Sequence, residues 1–268
     1  MPTPESAPVS RAPVALLGAG WLGLALARDL SNDYPVRASY RREAGRRAVQ
    51  EAGAEPYLLD LPELAAPLQA FLAGARALII TLPPGGRAHQ ERTTEQYLAA
   101  LEPLHDFLHR DLHVIYTSST GVYGGSATGR VTEDTPVAPD THSGRAVVAA
   151  EGWLTEHCPT LTVLRLGGLY GPGRDPVNFF SKREAIPQGD APVNMLPQHQ
   201  AVGAVRFILE TGSTGTFNVC GADHPPKREF YGNLYSAAGQ TPKPFLPGGA
   251  DGKRIDSSKL RQLGWPRS

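Results

Sequence analysis

Short continuous apolar runs alternate with helix-length amphipathic segments along the first two-thirds of the chain. Residues 14–17, 36–40, 56–59, 77–82, 113–117 and 161–166 read as strands. Helices are expected from the glycine-rich turn to about 30, over 43–52, 89–109 and 144–157. Pro83 and Pro84 stop the fourth strand, and Asp60 ends the third. Strands without a polar face are buried on both sides, as in a parallel sheet covered by helices. The expected fold is therefore α/β, a doubly wound parallel sheet.

The pattern changes after about residue 169. Gly, Pro and Asn thicken from 171 to 200, followed by a helix at 202–210, a strand at 216–220 and a helix at 228–239. The division expected is a disordered Pro-rich tail at 1–12, a nucleotide-binding domain at 13–169 and a small C-terminal substrate lobe at 170–268. Ligands of open α/β sheets bind at the carboxyl ends of the strands, where such a lobe would dock.

Composition narrows the function. Lys and Arg number 26, as do Asp and Glu, which removes any bulk electrostatic case for nucleic acid or an anionic membrane. No apolar run approaches the roughly 20 residues of a membrane span, and the N-terminus lacks the apolar core of a signal peptide. Cys158 and Cys220 form no C-x-x-C pair and read as small buried hydrophobes in a reducing, cytoplasmic setting. His105, His109 and His113 recur every four residues, but no Cys or Asp pattern completes a metal site.

The first strand runs into Gly18-x-Gly20-x-x-Gly23, which opens a helix. That context makes the motif a dinucleotide fingerprint and the sheet Rossmann-like. Gly18 permits a tight turn, Gly20 lets the backbone approach a pyrophosphate, and Gly23 lets helix and strand pack closely. Trp21 and Leu22 lie between the glycines, where the helix N-terminus offers free N–H groups and positive dipole. An NAD site places Asp or Glu about 20 residues beyond the first glycine, on the ribose 2′-OH. Here the second strand ends Ser39-Tyr40-Arg41-Arg42. Arg41 and Arg42 suit a 2′-phosphate, so the expected cofactor is NADP(H). Leu82 and Pro83, ending the fourth strand, complete the expected cofactor wall.

The segments Tyr116-Thr-Ser-Ser-Thr-Gly-Val-Tyr-Gly124, Leu164-Arg-Leu-Gly-Gly-Leu-Tyr-Gly-Pro-Gly173 and Thr216-Phe-Asn-Val-Cys220 together resemble the extended short-chain dehydrogenases/reductases of the NAD-dependent epimerase/dehydratase type. The resemblance implies that Ser119 is the catalytic Ser, that Asp60 contacts adenine, and that helices pair into a homodimer. It also implies a Tyr-x-x-x-Lys pair at the start of the next helix. That stretch reads Thr141-His-Ser-Gly-Arg-Ala-Val-Val-Ala-Ala-Glu151. Aligning Gly144 and Glu151 puts Ser143 at the Tyr position and Val147 at the Lys position. The chain thus resembles an atypical branch in which S-G-R-A replaces Y-x-x-x-K. Similar sequences also carry a His-x-x-Asp motif where this one reads Val193-Asn-Met-Leu-Pro-Gln-His-Gln200, with Asp absent and His199 displaced.

With the Tyr position vacant, proton transfer falls to Tyr123, Tyr170, His142, Ser143 or a water. His has the right unperturbed pKa for such work. Arg145, Arg174, Asn178 and Lys182 are candidates to hold a carboxylate or phosphate of a small-molecule substrate. Arg165 is expected to pair inside the sheet edge. The reading is an NADP-dependent oxidoreductase, a reductase of a small carbonyl or imine. Its rivals are a non-catalytic NADP-binding sensor or scaffold, and a nucleotide-sugar epimerase or dehydratase with a relocated base.

Overall fold

The computed structural model describes residues 11–85 and 90–266. Nine of its strands and helices make the nucleotide-binding body: β1 (Val14–Leu17), α1 (Trp21–Leu30), β2 (Val36–Tyr40), α2 (Arg46–Glu51), β3 (Glu55–Leu58), α3 (Leu68–Leu72), β4 (Ala77–Ile80), α4 (Thr93–Leu101) and β5 (His113–Ser119). Then come β6 (Arg130–Val131), α5 (His142–His157), β7 (Leu161–Leu166), β8 (Gly168–Tyr170), β9 (Met195–Pro197), α6 (Gln198–Thr211), β10 (Gly215–Val219), α7 (Lys227–Ala237), β11 (Arg254–Ile255) and α8 (Ser258–Gln262).

Seven strands form one parallel sheet in the order β10-β7-β5-β4-β1-β2-β3. The expected doubly wound fold is present. The strand period of two divides each strand between two cores. Val14, Leu16 and Ile79 face a cluster with α1 and α6, while Ala15, Leu17, Leu78 and Ile80 face one with α3, α4 and α5. Each fully buried Leu in these layers contributes about 1.5–3 kcal/mol.

Two expectations about elements need correction. The helix expected over 89–109 is shorter: α4 gives way to a 3-10 turn at Glu102–Phe107, because Pro103 has no N–H and tightens the first turn after Leu101. Its expected start at 89, like most of the expected tail at 1–12, lies outside the described residues. The boundary at 169/170 does not separate two layers. β10 returns to the main sheet beside β7, Gly215 opposite Thr162 through Val219 opposite Leu166, and α6 shares the core of α1. What remains apart is a small aromatic cluster of Val177, Ile186, Val193, Tyr231 and Tyr235. Two short strand pairs, β8–β9 and β6–β11, stitch this part to the sheet edge.

Candidate cofactor and substrate site

The turn from β1 into α1 is built by its glycines and clamped by its neighbours. Gly18 has φ +108, which favours glycine. Its N–H donates to Ser39 Oγ (2.8 Å), and its carbonyl accepts from Thr81 Oγ1 (2.6 Å). The ends of β2 and β4 thus fix the loop on both sides. A Cβ on Gly23 would lie 2.1 Å from the Gly18 carbonyl oxygen. A Cβ on Gly20 would meet nothing within 4 Å, so the space in front of the helix end is open. α1 has no side-chain cap and no acid in its first turn, so its N-terminus stays electropositive. Leu22 is buried in the core, which leaves its backbone N–H as the only polar group it can offer.

Arg41, Asp60, Leu82 and Pro83 line one cavity of about 570 Å³ at the carboxyl ends of β2, β3 and β4, with Tyr97 of α4 also in its lining. Arg42 lies outside its lining, exposed before the 3-10 turn Glu43–Gly45. The neighbouring arginines are engaged: Arg46 with Glu43 and Arg47 with Glu51, each at 2.6 Å. Among the described residues, Arg41 and Arg42 have no acidic partner within ion-pair distance.

Trp21 is half-buried against the core beneath α1 and also reaches beyond its helix. Its indole N–H donates to the Pro172 carbonyl (2.7 Å), and Arg174 lies over its ring at 5.5 Å. The Gln198 amide donates to the Trp21 carbonyl (3.0 Å). The phosphate-type loop is thereby tied to the turn after β8 and to the start of α6. Arg174 stands beside that loop, whereas Asn178 and Lys182 are exposed further along.

Outside the lining of this cavity, Ser119 ends β5 exposed, and its Oγ accepts from Gly121 N–H (3.1 Å). Its hydroxyl proton is left to donate. α5 begins against this turn: a Cβ on Gly144 would lie 3.3 Å from the Gly121 carbonyl. Thr141 caps α5 by accepting from Gly144 N–H (3.0 Å). Ser143 is half-buried there, and Val147, one turn later, is in the core. Arg145 donates to His142 Nδ1 (3.0 Å) on the exposed side of this first turn.

Tyr123 is corrected: it is not a cleft residue. It is 1% exposed, donates to Asn218 Oδ1 (2.8 Å) and accepts from Arg165 (2.9 Å). Burial raises its pKa. Arg165 in turn grips Glu151 through Nε (3.0 Å) and Nη2 (2.7 Å), and Ser118 donates to the same carboxylate (2.5 Å). This polar network fastens β5, α5, β7 and β10 beneath the site.

Tyr170 closes β8 with its ring edge against Phe230 (6.0 Å), and burial raises its pKa from the ordinary tyrosine value. The register places it four residues beyond Leu166, which pairs with Ser119.

The family model for the NAD dependent epimerase/dehydratase family matches residues 14–189. The chain belongs to that family. Protein YeeZ of Escherichia coli strain K12 is 38% identical over 264 residues, 94% of each chain. Among solved structures, UDP-glucose 4-epimerase of Thermus thermophilus, in complex with NAD, superposes with a TM-score of 0.76 at 19% identity, over 94% of this chain and 93% of that one. A functionally unknown conserved protein from Silicibacter pomeroyi DSS gives 0.76 at 22% identity, over 94% and 92%. At these identities the likeness establishes the family's NAD(P)-binding fold.

Two features of the site carry no sequence signature. Thr81 holds Gly18 from β4. Lys253, just before β11, reaches the Ser119 turn from the far end of the chain and donates to the carbonyls of Thr120 (3.4 Å) and Gly124. Both are long-range contacts of common residue types.

The remaining singled-out residues are structural in place. His113 bonds Thr162 (2.8 Å), His105 packs on His157, and among the described residues no group of three His, Cys, Asp or Glu can hold a metal. Both thiols are buried and pushed up to about 12. No helix among the described residues is long and apolar enough to cross a membrane.

Proposed function

We propose that the protein is an NADP(H)-dependent oxidoreductase that reduces a small carbonyl or imine compound. The observation that carries this reading is the end of β2: Arg41 stands in the cavity with Asp60, and no carboxylate lies in β2 or between it and Glu43. The donors present fit the cofactor. The open space before Gly20 and the uncapped N-terminus of α1 suit a diphosphate. Arg41, with Arg42 beside it, suits a 2′-phosphate, and Leu82 and Pro83 suit an adenine face. When bound, the dinucleotide supplies a hydride.

Ser119 donates a hydrogen bond to the substrate oxygen. Tyr170 is the proton donor that best matches its surroundings. Its phenol has no hydrogen-bond partner among the described residues, and burial keeps it protonated. Burial moves its pKa up from the ordinary tyrosine value, so the donor form persists through neutral pH and the reduction rate falls only in more alkaline solution. A second reading, a non-catalytic NADP-binding sensor or scaffold, draws on α5, which carries neither Tyr nor Lys and turns Val147 into the core.

NADPH oxidation over a panel of small aldehydes, ketones and imines tests the reading. Tyr170→Phe should cut kcat about 100-fold or more, as for loss of a general acid, and Ser119→Ala should also slow turnover. Neither should change NADPH affinity. Product formed without net NADPH loss would point to epimerisation instead. Binding without turnover on any compound would point to the sensor.

A further inference from the structure

Lys253 is held in place from both sides. The Asn194 side chain donates to the Lys253 carbonyl (2.9 Å) and accepts from Ile255 N–H (2.8 Å). β11 then pairs with β6, Arg254 opposite Arg130. From this fixed backbone the half-buried side chain crosses to the Ser119 turn and donates to Gly124 and Thr120. The turn itself has little room to move: Gly124 has φ +70, and a Cβ there would lie 2.1 Å from the Ala138 carbonyl.

Among the described residues, Lys253 has no carboxylate within ion-pair distance. Asp140, whose charge reaches it, accepts from Gly125 N–H (2.8 Å). An ammonium carries three donors. Two meet carbonyl oxygens, and one is left. A cation taken partly out of water with no carboxylate in contact is costly, and an anionic ligand relieves that cost. Burial correspondingly lowers its pKa. On α5, Arg145 donates to His142 Nδ1.

We propose that Lys253 is the substrate-side cation of this site: it steadies the turn that carries Ser119 and gives its remaining N–H to an anionic oxygen, carboxylate or phosphate, on the substrate. The proposal rests on the reading of the Ser119 turn as the substrate end of the cleft. It narrows the substrate to an anionic carbonyl or imine compound, such as an oxo acid or a phosphorylated carbonyl.

The test uses the full chain saturated with NADP⁺, titrated with oxalate, inorganic phosphate, neutral 2,3-butanedione and, as ionic-strength control, sodium chloride. Binding is read by calorimetry and thermal shift. Oxalate or phosphate should bind the unaltered protein where butanedione and chloride do not, and whichever binds identifies the anion class. Lys253→Met should weaken that anion about tenfold or more, the order expected for a charge-assisted hydrogen bond. Lys253→Arg should keep most of the affinity. NADPH affinity should be unchanged in both, so that the loss is confined to the anion. The proposal is overturned if neither anion outdoes chloride on the unaltered protein, a result independent of how the variants fold. It is equally overturned if Lys253→Met binds the anion normally while Arg145→Ala or Arg174→Ala loses it. Nucleotide titrations run alone separate the two failures: NADPH binding without an anion effect removes only the lysine's role.

Discussion

Glu151→Ala should lower stability by about 3–5 kcal/mol, the cost of breaking a buried ion pair by removing one partner. Arg165 and Glu151 are each 8% exposed. Without the carboxylate, the Arg165 guanidinium stays charged and keeps only Tyr123 and the Glu133 carbonyl as partners. Ser118 also loses its acceptor. For a chain of this size, about 1 kcal/mol corresponds to about 2–4 °C, so calorimetry should show Tm falling by about 10 °C. Replacing both partners together, Glu151→Met with Arg165→Met, should cost less than the single change, because no lone charge is left buried. A single variant within a few degrees of the parent would show that the network does not hold β5, α5 and β7 together.

Gly23→Ala and Gly20→Ala should fail in opposite ways. The methyl of Gly23→Ala would lie 2.1 Å from a backbone oxygen and 3.1 Å from Thr81 Oγ1, so neither a rotamer change nor a water shift relieves it. α1 must move off β1, which also disturbs the Gly18 turn. About 3 kcal/mol of stability should be lost, the upper end of ordinary overpacking, along with more than tenfold in NADP(H) affinity. The methyl of Gly20→Ala meets open space. Its Tm should be unchanged, yet NADP(H) affinity should fall, because the methyl takes the approach a diphosphate needs. Thermal melts with and without NADPH separate the two outcomes. If Gly20→Ala binds NADPH like the parent, the open space before α1 is not the diphosphate site.

Much of this was legible from local pattern. Apolar runs located every strand of the main sheet, and the glycine spacing located the turn whose contacts the fold then explained. Arg165 was expected to pair, and it does, with Glu151. What escaped was long-range. β10 lies beyond the Gly- and Pro-rich stretch, so chain order suggested a separate lobe, although its apolar residues complete the edge of β7. Tyr123 looked available because its motif ends a strand, but the partners that bury it come from β7 and β10. Trp21 lies between two motif glycines, and its partner Pro172 lies 151 positions away. Lys253 had no motif at all. Periodicity reports which face of an element is buried. It does not report which distant side chain arrives at a turn.

Cofactor choice at the end of β2 is the central claim, and equilibrium binding of NADPH, NADP⁺, NADH and NAD⁺, followed by thermal shift, tests it most directly. A nucleotide at about 100 times its Kd should stabilise the protein by about 2.7 kcal/mol, a shift of several degrees. NADPH and NADP⁺ should give that shift at concentrations where NADH and NAD⁺ give little. Arg41→Ala combined with Arg42→Ala should remove the difference by weakening only the phosphorylated pair. Equal shifts from all four nucleotides, or a double variant that keeps the parent's NADPH preference, would contradict the account.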